Sequence, residues 1–185
     1  CKPIMIYVIE GPDRAGKSSF IDRLRNKIAN PNILTIHSSR PPSCIPKDEI
    51  AEWTVMYYKQ LLENALELSS KGYDIILDRS WISECVYGPI YRNVRIPQGL
   101  LECTFYGEED NFTLCYLYDS AVNLIAREDG ESDATNIDQK QDELDAFNKF
   151  INASVIKNII KLDWTIEKFN KTTLDYFANK IVQTI

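Results

Sequence analysis

Along the chain, short runs of β-branched and apolar positions alternate with longer segments in which apolar residues recur at helical spacing. The short runs at 4–10, 33–37, 73–77, 112–118 and 159–162 predict strands. After the first, Phe20, Leu24 and Ile28 share one helix face, and Pro31 is expected to stop that helix. Ile50, Trp53, Tyr57, Leu61, Ala65 and Leu68 mark a second helix that Lys71-Gly72 closes. Leu144, Phe147, Ile151 and Val155 mark another, and Leu174, Phe177, Ile181 and Ile185 the last. Strands this apolar must be buried on both faces. The alternation therefore predicts an α/β fold, a five-stranded parallel sheet flanked by helices on both faces. There is no internal repeat, low-complexity tract or linker, so the 185 residues read as a single domain, 1–185.

Two stretches break the pattern. Residues 38–46, SSRPPSCIP, form a proline-rich loop leaving the carboxyl end of the second strand, where open α/β sheets place their ligands. Residues 127–138, REDGESDATNID, are polar and acidic and join two helices. They suit a short mobile lid, or equally a solvated helix connection.

Composition narrows the partners. A net charge of −6 and a pI near 4.9 argue against a protein that coats a nucleic acid polymer. No apolar run reaches the roughly 18 residues of a membrane span, and the opening residues do not read as a signal peptide. A cytoplasmic protein with no membrane partner is the expectation. The first residue is Cys1 rather than Met, which is compatible with a missing start. The five cysteines, Cys1, Cys44, Cys85, Cys103 and Cys115, are odd in number and never form a Cys-x-x-Cys pair, so reduced thiols fit better than disulfides or zinc. His37, the lone histidine, reads as a strand-end residue rather than a metal ligand.

The candidate chemistry sits where the first strand meets the first helix. Gly11, Gly16, Lys17 and Ser18 fill every fixed position of Gly-x-x-x-x-Gly-Lys-Ser, with an apolar strand before and a helix after. Such a loop turns backbone N–H groups onto a polyphosphate. Lys17 reaches the β and γ phosphates, and Ser18 helps to hold Mg²⁺. The ATP-binding set is thus Gly11, Pro12, Asp13, Arg14, Ala15, Gly16, Lys17, Ser18 and Ser19. At the third strand's end, Asp78 is the second candidate for the Mg²⁺ shell, and Arg79 could grip a phosphate-bearing second substrate. The same two residues could instead be a structural pair capping the next helix. Arg40, in the proline-rich loop, would reach the same acceptor phosphate if that loop borders the cleft. Asp13 and Arg14 lie inside the phosphate loop, where small residues are usual. There a carboxylate can fix an acceptor hydroxyl, and an arginine can stabilise transition-state charge.

Gly11-Pro12-Asp13-Arg14-Ala15-Gly16-Lys17-Ser18 resembles the P-loop of thymidylate kinases, and Asp78-Arg79-Ser80 is similar to that family's Asp-Arg-x motif. The resemblance covers the chain from the first strand to the lid and is weak after Asp119. It implies a P-loop NTPase fold and a nucleoside monophosphate kinase domain in which ATP with Mg²⁺ phosphorylates a deoxynucleoside monophosphate, dTMP or a related pyrimidine. By the same likeness Asp13 would bind the sugar 3′-hydroxyl, Arg14 the donor phosphates, and Arg40 and Arg79 the acceptor phosphate. Tyr87 would lie beneath the deoxyribose and disfavour a 2′-hydroxyl. Catalysis would rest on Asp13, Arg14, Lys17 and Arg79. A homodimer formed through helices such as 52–70 is also implied.

The chain departs from the family at two places. On the base side it offers Trp53, Thr54, Tyr57 and Tyr58, so Trp53 or Tyr57 is either the stacking residue or core. In the lid it keeps Arg127 amid acidic side chains. Arg92 and Arg95 are further basic candidates. The departures are compatible with a divergent, viral member acting on a modified pyrimidine. A deoxynucleoside kinase is the rival, but its base is a glutamate after the second strand, and this chain offers His37, Ser38, Ser39 and Arg40, with no glutamate before Glu49. A nucleotide-gated switch would carry Asn/Thr-Lys-x-Asp, which is absent.

Overall fold

The computed structural model describes residues 4–127, 130 and 132–184. Cys1, Ile185 and, in the stretch expected to form a lid, residues 128, 129 and 131 lie outside the described residues. Elements follow in the order β1 (Ile6–Glu10), α1 (Lys17–Lys27), β2 (Ile33–His37), α2 (Ile50–Ser70), β3 (Asp74–Asp78), α3 (Trp81–Tyr87), a π-helical turn (Gly88–Arg92), α4 (Gln98–Glu102), β4 (Phe112–Tyr118), α5 (Ala121–Ala126), α6 (Ile137–Asn152), β5 (Asn158–Asp163) and α7 (Lys171–Thr184). Among the described residues the strands form one parallel sheet in the order β2-β3-β1-β4-β5. Ile6 lies beside Ile75 on one side and Phe112 on the other.

Burial explains the layers. All five residues of β1 are buried, as expected for a central parallel strand covered on both faces. Its alternate side chains feed two cores. Ile6 and Val8 join Ile75, Leu77, Leu114 and Tyr116 beneath α2, α3 and the Phe147–Ile151 stripe of α6. Tyr7 and Ile9 join Ile76, Cys115 and Leu117 beneath α1, α5 and α7. The edge strand β2 is only partly buried. All five carboxyl ends point to one rim, where the loops gather.

Several boundaries differ from those read in the sequence, most of them where a backbone donor is used elsewhere. β1 begins at Ile6 because the Met5 N–H bonds to the Asp74 carboxylate at 2.7 Å. β3 begins at Asp74, since the Tyr73 N–H still closes α2 on the Leu68 carbonyl at 3.2 Å; Asp78 is therefore its last residue. α1 ends at Lys27, ahead of Pro31: Ile28 is extended, and Asn30 makes a turn of its own by accepting from the Asn32 N–H at 3.0 Å. α6 ends at Asn152, short of Val155, because buried Glu102 takes the Ser154 hydroxyl at 2.8 Å and the Val155 N–H at 3.1 Å. β5 is longer than read, Asn158–Asp163. The irregular stretch between α3 and β4, with its π-helical turn and α4, carries no clean period and was not read as structure.

Candidate functional site

The phosphate loop is shaped by two positions that only glycine can fill. Gly11 turns the chain off β1 at φ +147, and a Cβ there would stand 2.1 Å from the Leu117 carbonyl oxygen of neighbouring β4. Gly16 opens α1 at φ +85, directly under the Phe169 ring. Arg14, between them, also has positive φ, at 68°. The Ala15 carbonyl is tied down by the Trp164 indole N–H at 2.9 Å, which fixes the loop to the β5–α7 connection. Lys17 folds back over this loop, its Nζ donating to the Gly11 carbonyl at 3.0 Å and the Pro12 carbonyl at 2.8 Å. Burial, and then the Arg79 charge, push its pKa down to about 7.

Around the loop lies a cleft of about 610 Å³ lined by Asp13, Arg14, Gly16, Lys17, Ser18, Ser19, Arg40, Asp78, Arg79 and Arg127. The structure thus gathers the phosphate-loop residues, both candidate Mg²⁺ residues and the three other arginines into one cleft. Asp78 Oδ2 pairs with the exposed His37 Nδ1 at 2.6 Å. Ser18 and Asp78 supply hard oxygen donors, few in number, next to where phosphate oxygens would lie. That set fits Mg²⁺, which keeps most of its shell as water and phosphate.

Arg79 joins this cleft to a second cavity. It sits at φ 67, immediately after the tip of β3. Its guanidinium contacts the Asp13 carboxylate, the Gly11 carbonyl at 3.4 Å, the Ser83 hydroxyl at 3.2 Å and the Tyr87 hydroxyl at 3.4 Å, and lies 5.3 Å from the Tyr87 ring centre. Burial raises the Asp13 pKa, but Arg79 and Lys17 outweigh it and hold the carboxyl below its ordinary value. Behind Arg79, buried Glu10 organises the turn. It accepts from the Ser80 N–H at 2.7 Å, the Ser80 hydroxyl at 2.6 Å, the Ser83 N–H at 3.3 Å and the Ser83 hydroxyl at 2.7 Å. Ser80 in turn caps α3 by accepting from the Ile82 N–H.

The second cavity, about 170 Å³, is lined by Asp13, Ser38, Ser39, Arg40, Tyr58, Arg79, Ser83, Glu84, Tyr87, Arg92 and Asp133. Asp13, Arg40 and Arg79 border both spaces. Arg40 also pairs with Asp133, in the connection between α5 and α6, at 3.1 Å. Trp53 and Tyr57 do not line this cavity. They stack on each other with ring centres 5.1 Å apart along α2, while Tyr58, about 100° further round the helix, reaches it. Ser83, Glu84 and Asp133 were not singled out in the sequence. The first two lie in α3, the short helix that follows Arg79 in the chain. Asp133 carries no local signal.

Arg127 closes the top of the loop. It donates to the Arg14 carbonyl at 3.1 Å and the Asn123 carbonyl at 3.1 Å, pairs with buried Asp119, and lies 5.8 Å from the Phe169 ring centre. Arg95 lines neither cavity. No described helix is long and apolar enough to cross a membrane.

No family model and no curated protein sequence matches the chain. Solved structures do. A YorR protein from Bacillus subtilis, in complex with phosphorylated GDP, is 16% identical over 97% of this chain and 95% of its own, with a TM-score of 0.68. Thymidylate kinase from Candida albicans is 16% identical over 98% and 92%, at 0.69. Deoxyadenosine kinase from M. mycoides, with bound dCTP, is 15% identical over 98% and 100%, at 0.59. The chain shares the fold of these proteins, a five-stranded parallel sheet with helices on both faces and a P-loop after its first strand.

Proposed function

We propose that this chain transfers the γ-phosphoryl group of ATP to a deoxynucleoside monophosphate, dTMP or a related pyrimidine nucleotide, giving ADP and the diphosphate. The observation that carries the reading is the meeting of two cavities at Asp13, Arg40 and Arg79. One has a phosphate loop for the donor. The other has two guanidinium groups at its mouth for an acceptor that already bears phosphate. The likeness of the fold to thymidylate and deoxyadenosine kinases supports it.

In-line phosphoryl transfer needs little covalent chemistry from the protein, so positioning and charge supply the rate. Lys17, Arg14 and the backbone of the phosphate loop hold the donor. Arg40 and Arg79 orient the acceptor phosphate, Arg40 by exchanging Asp133 for it. Asp13 fixes the sugar hydroxyl, and Tyr87 forms the floor. Ser18 and Asp78 would hold Mg²⁺, which would supply positive charge to offset that of the donor phosphates. A free nucleoside would need a general base at its 5′-hydroxyl, and the end of β2 offers His37, already engaged by Asp78, then Ser38, Ser39 and Arg40. A cytoplasmic homodimer formed through α2 completes the proposal.

The test is coupled ADP release from ATP and Mg²⁺ against nucleosides, ribonucleoside monophosphates and deoxynucleoside monophosphates. Turnover is expected with deoxynucleoside monophosphates only, and Arg79→Ala should reduce it by roughly 10²–10³-fold. Turnover with free nucleosides alone would make the rival correct.

A further inference from the structure

The phosphate and sugar ends of the acceptor cavity are accounted for by Arg40, Arg79, Asp13 and Tyr87. The end beyond Ser83 is not. There Glu84 of α3 meets Arg92, which the π-helical turn folds back against it. Glu84 is buried, and burial raises its pKa against the opposing pull of Arg92. Arg92 Nη2 donates a hydrogen bond to Glu84 Oε2. Arg92 Nε is buried without a hydrogen-bond partner among the described residues. Burying an ion pair is costly, and leaving the Arg92 Nε donor of that pair unmatched adds to the cost. Both residues of the pair line the cavity wall.

We infer that Glu84 and Arg92 read the acceptor's base, and that they select the N3–H and adjacent carbonyl edge of a thymine-type pyrimidine over cytosine; this rests on the phosphotransfer reading above. A carboxylate can only accept and a guanidinium can only donate. The matching edge must therefore present a ring N–H next to a carbonyl oxygen. Thymine and uracil do so at N3 and O4. Cytosine N3 has no proton, so its lone pair would face the Glu84 carboxylate. Guanine offers the same N–H and carbonyl pair, but a cavity of about 170 Å³ that must also admit the sugar favours a single ring. Tyr58 and Ser38 complete the wall. Sites built to hydrogen-bond a substrate reject a partner lacking the matching group far more strongly than apolar pockets do.

The test compares kcat/KM for dTMP, dUMP, dCMP and dGMP, with ATP and Mg²⁺, in the wild type, Glu84→Gln and Arg92→Lys. Equilibrium binding of dTMP and dCMP is measured by calorimetry in parallel. The wild type should prefer dTMP and dUMP to dCMP by about 10²-fold or more. Glu84→Gln should cut that preference at least about tenfold, because an amide N–H can donate to cytosine N3. Arg92→Lys should weaken dTMP more than dCMP, and it serves if Glu84→Gln does not fold. Equal slowing of all four nucleotides would overturn the inference and mark the pair as structural, as would a wild type that favours dCMP or dGMP. Selective binding of dTMP without any turnover would overturn the kinase reading and keep the base assignment.

Discussion

At the scale of single residues, the site depends on backbone positions that tolerate no side chain and on groups whose charge is set by burial. Gly11→Ala would drive a methyl group into the Leu117 carbonyl, which is sheet backbone and cannot yield. At φ +147 the residue is strained as well. We expect a loss of about 1–3 kcal/mol, a fall in Tm of roughly 2–10 °C by calorimetry, and poor ATP binding. Cys85, in α3, donates its thiol to the Ile96 carbonyl at 3.5 Å, and burial pushes its pKa up to about 12. Between pH 9 and about 12 the unfolded chain loses that proton and the folded chain keeps it, so stability falls as pH rises through this window. Urea midpoints at pH 8 and pH 10 should separate more for the wild type than for Cys85→Ala. Alkylation mapped by mass spectrometry should mark exposed Cys44 and Cys103 in the native protein, with Cys85 and buried Cys115 reacting only on unfolding.

At the scale of elements, the β3–α3 turn is where strand, cap and Arg79 are built together. Glu10 is the last residue of β1, yet its carboxylate receives two backbone and two hydroxyl donors from Ser80 and Ser83. Replacing it with glutamine turns one acceptor into an amide donor facing those hydroxyls. Glu10→Gln should cost about 2–3 kcal/mol and lower Tm by roughly 4–12 °C. It should also raise KM for the acceptor more than for ATP, since Arg79 rides on the same turn. The sequence showed the elements well where a long apolar period was uninterrupted, as in β1, β4 and α2. It misplaced ends at Met5, Tyr73 and Val155, because each was settled by a distant partner: the Asp74 side chain, the Leu68 carbonyl or buried Glu102. Nothing local to 79–111 announces a π-helical turn, whose purpose is visible only once Arg92 is seen against Glu84.

At the scale of the whole molecule, Arg127 ties the lid side of the chain to the phosphate loop through the Arg14 carbonyl, Asp119 and Phe169. Arg127→Ala should lower kcat/KM for ATP by about 10–10²-fold while leaving acceptor binding, measured without ATP, little changed. The sequence by itself determined the α/β class, the five strands and the phosphate loop with Lys17 and Ser18. These depend on local spacing and on glycines whose backbone need is written into a contiguous motif. It also placed Asp78 and Arg79 at a strand tip, because an apolar run ends there. Only the tertiary structure decided that Tyr58 rather than Trp53 or Tyr57 faces the second cavity, since rotation about α2 is fixed by what that helix packs against. It alone set Asp133 against Arg40 and Glu84 against Arg92, because such pairs are made by folding, between residues whose separation in the chain leaves no period to read.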